Sequence, residues 1–140
     1  MNHDNSGKCK KCQTILDTYP NFNKELRNWF TGFQFKHPEM HTSEGGRGRI
    51  AQERDFQKHA SKAHYLQSGH NFGCALDLFV ELPGEKTIYP IHWFVDVLYP
   101  NLPSWITWLG APNSKFPELP HIEIADWKEL VKRGDVKPVE

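Results

Sequence analysis

Two histidines and an aspartate are placed where they could hold a catalytic metal ion. His70 lies in the segment SGHNFG, which is predicted to be a loop, and Asp77 follows seven residues later, at the start of a predicted strand. His121 opens another predicted strand far along the chain. Two imidazoles and one carboxylate from different elements are the usual ligands of catalytic zinc, and they leave one position open for water. The spacing permits such a site, although each residue alone also suits an ordinary loop or strand edge.

Two carboxylates lie close to His121 in the sequence. In the segment HIEI, strand alternation places His121 and Glu123 on one face and the two isoleucines on the other. Glu123 is therefore predicted to support a metal-binding His121 as a hydrogen-bond acceptor. Glu118 precedes His121 by three residues, and Pro120 favours extended backbone just before it. A carboxylate held there could take a proton from the attacking water, although a solvated surface charge is the simpler interpretation.

The elements that must position these residues alternate between helical and strand patterns. Asn23 and Asp126 are suitable N-caps for two of the helices. Helices are predicted over residues 12–19, 24–35, 50–64 and 126–133, and a helix or turn over 91–99. Strands are predicted over 41–43, 75–82, 105–109 and 121–124. This mixture indicates an α+β fold.

The length of 140 residues suits one domain with one core. We place no domain boundary within residues 1–140. Residues 1–8 are polar and are expected to be flexible, residues 9–40 to form a helical N-terminal part, and residues 41–124 to hold the catalytic core.

Composition excludes several classes of function. Lys+Arg and Asp+Glu both number 17, and this neutral balance argues against nucleic acid as a partner. The sequence has no apolar run long enough for a membrane span, and its N-terminus lacks the apolar stretch of a secretory signal. We therefore expect synthesis in the cytoplasm and no membrane insertion. Three cysteines do not form a complete disulfide framework.

Cys9 and Cys12 form a CxxC motif, which is the spacing of a zinc knuckle. A complete site needs two further ligands, for which His3, His37 and His41 are the nearby candidates. A second zinc ion at Cys9 and Cys12 is thus one interpretation, and an incidental pair of thiols is the simpler one. A thioredoxin-like role is not favoured, because no predicted strand precedes the motif.

Two motifs carry a resemblance to a known family. Residues 68–77 match the pattern S-x-H-x-x-G-x-A-x-D, and residues 118–123 match E/D-x-x-H-x-E. Together they resemble the zinc D-alanyl-D-alanine carboxypeptidases, a family that includes vancomycin-resistance dipeptidases and phage L-alanyl-D-glutamate endolysins. The resemblance implies a Hedgehog/D-Ala-D-Ala-peptidase-like domain, with a small antiparallel sheet flanked by helices. It also implies one catalytic zinc held by His70, Asp77 and His121, with Glu118 as the base.

The resemblance extends to other positions around this site. The family has an arginine in a glycine-containing turn before the first motif, and Arg47 fits it best, with Arg49 as the alternative. By resemblance, Arg47 binds the scissile carbonyl or a substrate carboxylate. Ser68 is expected to orient His70 through hydrogen bonds in the loop. The Trp-rich segment of many endolysins corresponds only to residues 105–110, where Trp108 is a candidate for lining the cleft.

The function implied is that of a zinc metallopeptidase that hydrolyses peptidoglycan stem peptides. Within the family we favour a phage endolysin that cleaves the L-alanyl-D-glutamate bond. It would act as a monomer on the cell wall, after synthesis in the host cytoplasm and release. One alternative is a D-Ala-D-Ala carboxypeptidase or dipeptidase. An alternative of another class is a non-catalytic, zinc-stabilised binding or virion structural protein, against which the retained Glu118 argues.

Overall fold

The computed structural model describes residues 2–59, 63–112 and 118–139. The helices are α1 (Lys10–Asp17), α2 (Lys24–Lys36), α3 (Arg49–Gln57), α4 (Ile91–Trp93) and α5 (Trp127–Lys132). The strands are β1 (Met40–Glu44), β2 (Ala75–Val80), β3 (Ile106–Trp108) and β4 (His121–Ile124). Short 3-10 turns cover Gly69–Phe72 and Tyr99–Asn101, and a π-helical turn covers Phe94–Leu98.

The four strands form one antiparallel sheet in the order β1-β2-β4-β3. Alternate side chains of the central strands β2 and β4 point from one face of the sheet into the core. They include Leu76, Leu78 and Ile122, which are all 0% exposed. The opposite face carries Asp77 of β2 directly beside its register partner, His121 of β4. The predicted α+β fold, with a small antiparallel sheet flanked by helices, is therefore confirmed.

The helices supply the other side of the core. Asn23 caps α2 as predicted, because its side-chain oxygen accepts a hydrogen bond from the Leu26 amide at 2.9 Å. Asp126 occupies the N-cap position of α5 but its side chain makes no capping hydrogen bond, so that part of the prediction is wrong. Buried helix residues that join the core include Leu16, Leu26, Phe30 and Trp127.

Helix α3 is shorter than the sequence pattern predicts. It ends at Gln57, and His59 adopts a positive φ of 59°, which an α-helix cannot continue through. The helical pattern of apolar residues counted Ile50 as a buried position. Ile50 is 81% exposed, so the pattern did not mark a core-facing side of this helix. The predicted end of this helix partly falls on residues 60–62, which lie outside the described residues. In the part of the chain that is described, no helix is both long and apolar enough to cross a bilayer.

A bulge in β1 determines what lies beside Asp77. Thr42 pairs with Leu78, but the next pair is Glu44 with Asp77, so Ser43 is an extra residue in this strand. With regular pairing Ser43 would stand beside Asp77. The bulge places Glu44 there instead, next to the turn that contains Arg47.

Candidate metal centre

The loop that carries His70 is held by its own side chains. Residues Gly69–Phe72 form a 3-10 turn, and Ser68 caps it by accepting a hydrogen bond from the His70 amide at 3.3 Å. Asn71 completes a capping box, because its Oδ1 accepts a hydrogen bond from the Ser68 amide at 3.1 Å. Gly73 ends the turn with a φ of 66°, and a Cβ there would lie 2.9 Å from Phe22 Cα. The backbone of His70 is thus fixed from both sides.

The three candidate ligands converge on one point. His70 Nε2 lies 3.2 Å from Asp77 Oδ1, and His121 Nδ1 lies 3.5 Å from the same oxygen. The two imidazole rings are nearly perpendicular, with centroids 4.8 Å apart. In tetrahedral zinc sites with nitrogen and oxygen ligands, bond lengths of ~2.0–2.2 Å separate the ligand atoms by roughly 3.3–3.5 Å. These two distances match that range, and all three ligand atoms lie within 4.8 Å of one another, so the three side chains could hold one zinc ion.

Each imidazole makes a hydrogen bond through the nitrogen that lies away from Asp77. The other nitrogen of each ring then faces the place where the three ligand atoms meet. His70 Nδ1 donates to the Gly45 carbonyl at 2.7 Å, which leaves Nε2 free to bind a metal. His121 is turned the other way: its Nε2 donates to Glu123 Oε1 at 2.7 Å, and its Nδ1 faces Asp77. Glu123 is itself fixed, because its second oxygen accepts from Trp127 Nε1 at 2.8 Å. Each histidine thus has an acceptor that sets its tautomer.

The candidate ligands Asp77 and His121 shift each other's pKa values. Burial acts to lower the pKa of His121, but hydrogen bonds and charges from Asp77 and Glu123 outweigh it and raise that pKa to about 9. Burial acts to raise the pKa of Asp77, but the charge of His70 and hydrogen bonds from both imidazoles hold it well below its usual range. Both shifts have one geometric cause, because the Asp77 carboxylate lies between the two imidazoles.

Glu118 lies at the edge of this centre. Its Oε2 is 3.4 Å from His121 Nδ1, and its side chain is 44% exposed. The backbone holds it on both sides, because the Glu118 amide donates to the Leu109 carbonyl and the His121 amide donates to the Glu118 carbonyl. The carboxylate is thus close to the metal position and also open to solvent, where water and a substrate can reach it.

Arg47 reaches the centre from the turn after β1. Its guanidinium makes two hydrogen bonds to the Glu44 carboxylate, at 2.8 and 2.9 Å, and a third to Gln52 Oε1 at 3.0 Å. Its Nη2 also lies 3.6 Å from Asp77 Oδ2, the oxygen that faces away from the two imidazoles. Arg49 instead stacks over the Tyr65 ring, 4.6 Å from its centroid. Of the two arginines, only Arg47 contacts a candidate ligand.

Trp108 has little surface to offer a substrate. The residue is 3% exposed and its ring stacks on Phe94, with centroids 6.0 Å apart. Its Nε1 donates to the Leu119 carbonyl at 2.7 Å, between Glu118 and the start of β4. The structure thus places Trp108 in the core, where it supports the segment that carries Glu118, rather than in the cleft that the sequence allowed.

Sequence reasoning missed three groups that position the site. Glu44 holds Arg47, the Gly45 carbonyl holds His70, and Asn71 binds the Arg47 carbonyl at 2.9 Å and Gln52 Oε1 at 3.1 Å. Asn71 could have been noticed as an amide beside His70 in the first motif. No sequence signal indicates Glu44, because its position depends on the bulge in β1.

We expect Glu123→Gln to weaken zinc binding by about 10–100-fold, because a neutral amide is a poorer acceptor for the His121 Nε2–H than a carboxylate. The dissociation constant is measured by competition with a chromogenic chelator. Glu129→Gln is the matched control, since Glu129 is 61% exposed and pairs only with Lys132 among the contacts described. Equal zinc affinity in the wild type and both variants would contradict a role for Glu123 behind His121.

Comparison with known proteins supports the fold. No family model matches the sequence, and no curated protein matches it significantly. Among solved structures, the chain is similar to the Serratia marcescens L-Ala D-Glu endopeptidase ChiX, with a TM-score of 0.62 and 14% sequence identity. The match covers 86% of this chain and 90% of that chain. The chain therefore has the α+β fold of that endopeptidase along nearly its whole length.

Proposed function

We propose that the protein is a zinc peptidase that hydrolyses peptidoglycan stem peptides. The observation that carries this proposal is the convergence of His70, Asp77 and His121 with the partly exposed carboxylate of Glu118 beside them. Their arrangement on a fold shared with an L-Ala D-Glu endopeptidase adds support for the substrate class. Within that class we propose the L-alanyl-D-glutamate bond and the role of a phage endolysin.

Different residues carry out different parts of the proposed reaction. A zinc ion held by the three ligands would polarise the scissile carbonyl and make water acidic enough to react near neutral pH. Glu118 accepts a proton from the attacking water and passes it to the leaving amine, for which its exposed position is suitable. Arg47 orients Asp77 through the 3.6 Å contact with its Oδ2. In the proposed mechanism the one Arg47 N–H that these contacts leave over, on Nη1, also stabilises the developing oxyanion.

The test is a digest of purified peptidoglycan sacculi, followed by mass spectrometry of the released muropeptides. We expect the turbidity of the sacculi to fall and new peptides to begin with D-glutamate. Loss of terminal D-alanine, without new D-glutamate N-termini, would instead identify a D-Ala-D-Ala carboxypeptidase. Sacculi that bind the zinc-loaded protein but stay intact would identify a non-catalytic binding protein and overturn the proposal.

A further inference from the structure

A second cluster of metal-binding side chains lies away from the candidate catalytic centre. It consists of His3 from the N-terminal segment, Cys9 and Cys12 at the start of α1, and His41 in β1. One ligand atom from each lies within 4.8 Å of all the others. His37, another candidate from the sequence, is not part of it, because its ring stacks on Phe33.

Three distances within this cluster match tetrahedral coordination, and all four ligand atoms lie within 4.8 Å of one another. His3 Nδ1 lies 3.4 Å from Cys9 Sγ and 3.3 Å from Cys12 Sγ, and His41 Nδ1 lies 3.5 Å from Cys12 Sγ. With Zn–S near 2.3 Å and Zn–N near 2.0–2.1 Å, sulfur and nitrogen ligands of one ion are separated by roughly 3.5 Å. Direct hydrogen bonds explain the cluster less well. The single lone pair or N–H of His3 Nδ1 would have to be shared between two thiols, which weakens both hydrogen bonds.

N–H groups point at both cysteine sulfurs. Cys12 Sγ accepts from the Thr42 amide at 3.4 Å and from Gln34 Nε2 at 3.5 Å, and Cys9 Sγ accepts from the Cys12 amide at 3.4 Å. N–H groups aimed at sulfur stabilise negative charge there. His41 Nε2 lies 2.7 Å from Asn5 Oδ1, which fixes the tautomer that turns the Nδ1 lone pair toward the sulfurs.

We propose that His3, Cys9, Cys12 and His41 bind one structural zinc ion, separate from the catalytic centre. Four protein ligands close the coordination shell, whereas a catalytic zinc keeps a position open. Binding releases the two thiol protons, so one Zn²⁺ and two thiolates form a neutral unit. Neutrality matters because Cys9, Cys12 and His41 are each 0% exposed. Two sulfur and two imidazole ligands favour zinc over magnesium or calcium.

The ion would fasten the N-terminal segment and α1 to the sheet. Phe79 of β2 covers the site, with its ring centroid 4.8 Å from that of His3 and 5.3 Å from that of His41. Thr42 links the two centres: its amide donates to Cys12 Sγ, and its hydroxyl donates to the Asp77 carbonyl at 2.8 Å. The site thus holds β1 in the register that the candidate catalytic centre needs.

The test counts metal ions in the intact 140-residue chain by mass spectrometry. We expect two zinc ions in the wild type, and one each in a Cys9→Ser/Cys12→Ser variant and in His121→Ala. Cys74→Ser is the matched control and should keep both, because Cys74 is equally buried but lies outside the cluster. Cobalt added to His121→Ala should give a thiolate-to-cobalt charge-transfer band.

Two results would overturn the proposal, and neither requires the cysteine variant to fold. One is a His121→Ala protein that binds no metal or gives no charge-transfer band with cobalt. The other is a Cys9–Cys12 disulfide in the wild-type chain purified with zinc and a thiol reductant. Failure of the peptidase proposal has a different signature, because sacculi would stay intact while the Cys9 and Cys12 site still binds its ion.

Discussion

Replacing Glu118 by Gln is expected to slow peptidoglycan hydrolysis by about 10²–10⁴-fold, which is the usual loss when a general base is removed. The amide has nearly the same shape as the carboxylate but cannot accept the proton of the attacking water. Zinc content should stay at the wild-type level, because Glu118 is not among the three candidate ligands. The measurement combines the initial rate of turbidity loss with the metal content of the same preparation.

Glu129→Gln is the control for this substitution, since it removes an exposed carboxylate from α5, away from the site. It should hydrolyse sacculi at the wild-type rate. A Glu118→Gln protein that kept full activity would show that another group takes the proton. One that lost its zinc would show that Glu118 is needed for metal binding, so that its loss of activity could not be assigned to proton transfer.

Removal of one candidate ligand should have an even larger effect. We expect His70→Ala to bind catalytic zinc too weakly to keep it during purification and to lose activity by more than about 10³–10⁴-fold, which corresponds to several kcal/mol of transition-state stabilisation. In this variant only Asp77 of β2 and His121 of β4 remain as ligands, and a cavity replaces the imidazole of His70. Activity and zinc content are measured before and after dialysis against zinc.

His92→Ala is the matched control, because His92 is 58% exposed and its described ion pair is with Glu85 on the surface. It should keep wild-type activity. A chelator should inactivate the wild type reversibly, with zinc restoring the rate. A fully active His70→Ala protein, or a wild type insensitive to chelation, would contradict the assignment of a catalytic metal to this centre.

Local patterns predicted the strands that hold the candidate ligands. Alternation in β2 and β4 predicted that Asp77 and His121 lie on the face of the sheet opposite the core-facing residues. In the structure they lie on that face. The sequence could not predict that these two residues are register partners, because strand pairing depends on the packing of the whole sheet. Glu44 shows the same limit, since one extra residue in β1 decides whether it or Ser43 stands beside Asp77.

The second cluster shows which ligands of a metal site can be predicted from motif spacing and which cannot. Cys9 and Cys12 can be recognised as a pair, because both belong to one local turn. Their partners cannot be predicted from spacing, since His41 is brought there by packing of α1 on β1 and His3 by contacts of the N-terminal segment with Phe79. Trp108 is a similar case, because periodicity does not distinguish an aromatic residue of the core from one in a cleft.

The strand order β1-β2-β4-β3 also has a consequence for when the candidate metal centre is completed during folding. His70 and Asp77 lie in adjacent local elements and can meet early in folding, but His121 arrives only when β4 pairs with β2 across residues 78–120. Closing such a long connection is slow compared with forming a turn or a helix. A nascent or partly folded chain would therefore hold only two of the three ligands. In the proposed peptidase, hydrolysis would therefore begin only after β4 has paired with β2.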